Sequence, residues 1–144
     1  MLRSLKLAAA VTAFTLVATP VFAQDEPEEP RTTYSVTMFE FAEDADENRW
    51  LEVIETYINP AREAAGMSPQ AIHWVMMNPD YDIIVVAEEP DGMATFDSHA
   101  PASRMAFVEA LTEMVGGEEQ LGALREEMDA MVEDSMTLYT HTHP

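Results

Sequence analysis

The chain has 144 residues, with 7 Lys+Arg against 27 Asp+Glu, no cysteine and 47% hydrophobic residues. That length suits a single domain, and that apolar content supplies a folded core, which excludes a wholly disordered acidic protein. A formal net charge of −20 argues against nucleic acid as a partner, and the lack of cysteine removes disulfides, thiolate nucleophiles and zinc–thiolate or Fe–S sites.

Residues 1–23 read as a secretory signal peptide. Arg3 and Lys6 make a positive start, Leu7 to Ala18 is an apolar run, and Val21-Phe22-Ala23 offers small residues where a signal peptidase cuts, before Gln24. The run is broken by Thr12, Thr15, Thr19 and Pro20 and falls short of the roughly 20 residues of a membrane span. The expected address is therefore the periplasm or the medium, with no membrane partner once the signal is removed. Removal takes away both Arg3 and Lys6, so the mature chain keeps Arg31, Arg49, Arg62, Arg104 and Arg125, no lysine and every acid. Residues 24–32 follow as an acidic, Pro-rich, disordered tail, and residues 33–144 as the folded domain.

Thr33 to Phe41 is β-branched and aromatic and predicts a strand. The acids from Glu43 to Glu47 open a helix capped by Asp44 or Asp46, with Trp50, Val53/Ile54, Tyr57/Ile58, Ala61 and Ala64/Ala65 in helical register. Pro60 should kink it and Gly66 end it. Gln70–Met77 predicts a second strand, Asn78-Pro79-Asp80 a turn, and Tyr81–Glu88 a third strand that is apolar on both faces. After a turn at 89–92 and a short piece at 93–98, a helix begins near Pro101 and breaks at Gly116-Gly117. A last helix runs from Glu118 to about Val132, and Ser135–Thr142 predicts a fourth strand.

The order β-α-β-β-α-α-β is the split βαβ pattern of a ferredoxin-like α+β domain: four antiparallel strands with helices on one face. The other face carries too much apolar surface to stand in water, with Phe39, Trp74, Met76, Ile84, Val86 and Tyr139 as its candidates. The same face of a second copy is the simplest cover, which predicts a homodimer.

The element order, the aromatic first helix and the segment YDIIVVAEEPDGMATFD (81–97) resemble the dimeric α+β barrel superfamily, nearest its antibiotic-biosynthesis-monooxygenase-like and NIPSNAP-like branches. The resemblance covers most of residues 33–142 and implies two sheets facing each other across a dimer, with a ligand or active site between them. Members of that superfamily include cofactor-free oxygenases, haem-degrading enzymes, haem-dependent dismutases and proteins with no known activity. None of their catalytic motifs maps onto this chain.

The histidines are the first candidates for chemistry. Alternation puts His141 on one strand face with Tyr139, and His143 continues it. His73 lies on the opposite edge strand, so it could meet His141 and His143 only across a dimer, as a metal site or a proton-shuttling pocket. The competing reading leaves His143 as a chain end, His141 half exposed and His73 hydrogen-bonded at a sheet edge. His99 reads as a surface residue. The methionines, 11 in all, raise copper, but their helical spacing reads as core filler. Phe39, Trp50, Trp74, Tyr139 and His141 are candidates to line a ligand pocket, with Arg49 or Arg62 to hold an acidic group; Arg49 could equally pair with Glu52 or Glu55. No serine-hydrolase, dinucleotide or P-loop motif is present, and no cofactor is expected.

The leading expectation is an exported homodimer holding a small, largely apolar molecule in a sheet-face pocket. A second reading is a cofactor-independent oxygenase or isomerase-like enzyme with His73 or His141 as proton acceptor and Tyr139 as orienting group. A third is an interaction module that docks another protein through the bare sheet face.

Overall fold

The computed structural model describes residues 31–77 and 80–143. The expected signal peptide, residues 24–30 of the expected tail, and Asn78 and Pro79 of the expected turn lie outside them. Strand β1 spans Thr33–Phe41, β2 Ala71–Trp74, β3 Ile83–Glu89 and β4 Val132–His141. They form one antiparallel sheet in the order β2-β3-β1-β4, the ferredoxin-like arrangement. Thr32 and Thr142 exchange hydrogen bonds beyond the ends of β1 and β4, tying down the last residue of the expected tail.

Between β1 and β2 the chain is helical from Glu47 to Ala64, in three segments. Helix α1 spans Glu47–Val53, a π-helical turn Ile54–Ile58, and helix α2 Asn59–Ala64. Asp46 caps the start, its Oδ1 accepting the Arg49 backbone N–H at 3.0 Å. The expected kink at Pro60 takes the form of that π turn. Pro60 has no N–H and its ring crowds the carbonyl one turn back; the widened turn ahead of it, closed by Asn59 N–H on the Ile54 carbonyl, makes room for the ring.

A 3₁₀ turn at Gly92–Phe96 leads into helix α3, Ala102–Val115, and helix α4 spans Glu118–Ala130. The corner between them rests on Gly116 and Gly117, whose φ of +96° and +130° other residues reach only with strain. Helix α4 ends two residues before the expected Val132. Its last carbonyls are capped by the Met131 N–H, and Met131 gives its own carbonyl to Ala42, so helix passes to strand with one residue between. A register shift between Glu40 and Phe41 accommodates this early start of β4.

Register fixes which side chains share a face. Phe39 and Phe41 meet Trp50 edge-on, at 5.5 Å each between ring centres, so the odd positions of β1 face the helices. Their partners Ile83, Val85 and Ala87 on β3 are buried there too. The opposite face carries Val36 and Met38 of β1, Ile84 and Val86 of β3, and Met136 and Leu138 of β4. The four β1 and β3 side chains are only half-buried, and Met136 and Leu138 are 41% and 47% exposed. Strand β3 is thus apolar on both faces as expected, but within one chain only its helix side is covered.

The observed strands correct four of the six residues on the bare-face list. Ile84 and Val86 do lie on it, whereas Phe39, Trp74 and Tyr139 point to the helix side, through pairing with Ile83, Ile83 and Ser35. Met76 falls beyond the end of β2, which stops at Trp74 rather than Met77. Alternation from the expected strand starts could not fix the face, because a one-residue change inverts it.

Candidate functional site

The core divides into two clusters. One joins the sheet to α1 and the start of β4 through Phe41, Trp50, Ile54, Ile83, Val85 and Met131. The other is interhelical, built on Ala61, Leu111 and Leu121 with Phe107 and Val108 packed against them. Ile58 touches both. Single domains normally build one contiguous core, so the gap between these two calls for a reason.

Between them lies a cavity of about 360 Å³. Phe39 and Val85 of the sheet, Trp50 and Ile54 of the first helical run, and Phe107, Leu111, Leu121, Leu124 and Met128 of α3 and α4 line it. Its polar lining is sparse: Thr37, Gln70, Arg125 and Asp129. The volume lies within the range of small-molecule sites and far above ordinary packing defects. The cavity is partly open to solvent, and Arg125 and Asp129 in its lining are exposed.

The arginines sort by their partners. Arg49 donates from Nε to Glu127 at 2.7 Å and from Nη1 to Glu52 at 2.9 Å, bracing α1 against α4. These bonds raise the Arg49 pKa and hold the Glu127 carboxyl below the usual carboxylate range. Arg62 is buried; its Nε donates to the Ser68 carbonyl at 2.8 Å and an Nη to the Glu88 carbonyl at 3.0 Å. Burial lowers its pKa, against the nearby charges of Glu89 and Glu88. Both guanidiniums suggested by sequence as ligand anchors are therefore engaged in holding the fold. The expected Arg49–Glu52 pair forms, and Glu127, 78 residues away, joins it.

Of the five expected pocket residues, Phe39 and Trp50 line the cavity, while Trp74, Tyr139 and His141 do not. Trp74 stands half exposed on the edge strand β2. Tyr139 packs edge-on against Phe96 at 4.6 Å, both rings about half exposed. His141 pairs with Thr33 and lies exposed on the helix side, its ring 5.2 Å from that of His143. His73 pairs with Ile84 and so lies exposed on the bare face of the opposite edge. The structure therefore brings His141 and His143 together and separates both from His73 by strand and by face, so a dimer joined through its bare faces does not unite the three. Among the described residues, no group of three or more His, Asp or Glu side chains is placed to hold a metal ion.

Sequence reasoning missed Phe107, Leu111, Leu121, Leu124 and Met128 as cavity lining. Their spacing of three and four along α3 and α4 fits a buried helix face, and nothing in spacing tells packed from lining. Arg125 and Asp129 were missed as well, although their separation of four residues does put them on one face of α4.

Ten per cent of residues are shared with a crystal structure of a NIPSNAP family protein of unknown function from Agrobacterium tumefaciens, aligned over 77% of this chain and 87% of that one at a TM-score of 0.49. A dimeric ferredoxin-like protein of unknown function from Thermobifida fusca aligns over 78% and 92% at 13% identity and a TM-score of 0.43. Another, from Bacteroides fragilis, aligns over 77% and 96% at 15% identity and a TM-score of 0.39. The likeness is one of architecture. No protein-family model and no curated protein matches the sequence.

Proposed function

We propose that this chain is an exported, homodimeric binding protein that holds a small, largely apolar molecule between its sheet and its helices. The observation that carries this reading is the apolar cavity of about 360 Å³ that divides the core. A half-open hollow with so apolar a lining is the form small-molecule sites take, and a bound apolar molecule would bridge the two clusters more fully than Ile58 does. The pocket expected from sequence was on the bare face of the sheet, whereas this cavity lies on the opposite, helix-covered face.

The dimer is supported by the row of Val36, Met38, Ile84, Val86, Met136 and Leu138, an apolar surface of the kind soluble proteins cover. A second copy offers the same apolar row, which makes the contact self-complementary. Export is supported by the pattern of residues 1–23, and it predicts a mature protein that begins at Gln24 when its mass is measured after secretion.

Filling the cavity tests the function. Leu124→Trp places an indole where the ligand would lie and should abolish binding of an apolar probe such as decanol in calorimetry, while the far-ultraviolet circular dichroism stays that of the wild type. Unchanged decanol binding in a folded Leu124→Trp protein would refute the cavity as the site.

A further inference from the structure

The cavity wall is apolar almost throughout, but α4 adds one positive and one negative side chain to it, Arg125 and Asp129. Arg125 has no hydrogen bond or ion pair with any described residue. Arg104 of α3 likewise has no such partner among the described residues but does not line the cavity; Arg125 does, exposed at its wall with a carboxylate one turn away. The order of the two residues does not favour their pairing. An acid N-terminal to a base is the favourable i,i+4 arrangement on a helix, and Arg125-then-Asp129 is the reverse. Arg49 and Arg62, by contrast, have their donors engaged by carboxylates and carbonyls.

We infer that the molecule in this cavity is an amphipathic monocarboxylate, its chain or ring in the apolar chamber and its carboxylate on the Arg125 guanidinium. This rests on the reading of the cavity as a binding site. The planar fork of Arg125 matches a carboxylate through two parallel hydrogen bonds, which a lysine could not offer. A head group of one charge suits the site better than a phosphate monoester, since a single cation faces it on a strongly acidic protein. A cationic head group would be drawn to the acidic surface as a whole and would leave Arg125 without a role. Asp129 opposes the carboxylate from one turn away, and so sets a limit on affinity that its removal should lift.

Calorimetric titration of the full-length mature protein with decanoate, decanol and decylammonium separates these terms. Decanoate should bind about tenfold more tightly than decanol, the size expected of one charge-assisted contact at a partly solvated site. Arg125→Gln should remove that preference while leaving decanol affinity as it was. Asp129→Asn should tighten decanoate and not decanol. The proposal is overturned if Arg125→Gln leaves the decanoate preference intact, if decanol binds as well as decanoate to the wild type, or if decylammonium binds best. Failure of all three probes to bind the wild type would overturn the cavity reading itself, whereas decanol binding without a decanoate preference sinks the carboxylate assignment alone.

Discussion

The two faces of the sheet are built from similar residues and end in opposite situations. On the helix side, Ile83, Val85 and Ala87 of β3 are buried, the first two in one cluster with Trp50 and Ile54. One residue out of phase, Ile84 and Val86 stand on a face the chain does not cover. The covered face includes a void and the uncovered face includes none, since it has no roof. Exposed apolar surface marks where another protein surface is wanted, and a half-enclosed apolar hollow marks where a small molecule is wanted.

The sharpest way to break this distinction is at the open face. Val86→Asp puts a charge in the middle of the proposed dimer contact and should turn the dimer wholly into monomer in light scattering, with the helical content unchanged. A folded variant that stays dimeric would place the contact elsewhere. Next in size, Ile83→Ala removes a fully buried side chain and should cost about 3 kcal/mol in urea unfolding. Its neighbour Ile84→Ala should act differently, with a loss that depends on protein concentration, because that side chain is half-buried in one chain and covered further only in the proposed dimer. Equal, concentration-independent losses at the two positions would erase the difference between the faces.

Smaller effects test what holds the covered side together. Arg62→Met keeps the buried stem but leaves the Ser68 and Glu88 carbonyls without their donor, and should cost about 2 kcal/mol in the same assay. Gly116→Ala strains the left-handed corner that sets α3 against α4 over the cavity, and should lower stability by about 1 kcal/mol. The smallest effect comes from the Arg49–Glu127 bond. The Glu127 carboxyl is depressed in the folded state, so its contribution is present above the ordinary carboxylate range and fades as pH falls through its folded value. Comparing wild type with Glu127→Gln, the stability difference should be largest near neutral pH, vanish in acid, and shrink with added salt, because the pair is exposed.

Much of the fold was legible in the sequence for physical reasons. The span Thr33–Phe41 is the observed β1, since β-branched and aromatic residues between turn-formers leave little choice of element. Asp46 caps as expected and the paired glycines break the last two helices where expected. Element ends were less legible: β2 is half its expected length, and β4 begins at Val132 rather than Ser135 because the Met131 carbonyl bonds to Ala42 across the sheet edge. The site was legible only in Phe39 and Trp50 as pocket-lining residues. Facing depends on strand register, so Phe39, like Tyr139 and Trp74, was assigned to the wrong side of the sheet. The cavity depends on two layers failing to meet, a property of packing that no local pattern encodes.

The most direct test of the central claim is a crystal of the mature protein soaked with 1-bromooctane, with the bromine located by anomalous scattering. The account predicts a peak inside the chamber among Trp50, Ile54, Phe107 and Leu121 of each copy. A peak only on the open face beside Val86 and Leu138, with an empty chamber, would contradict it.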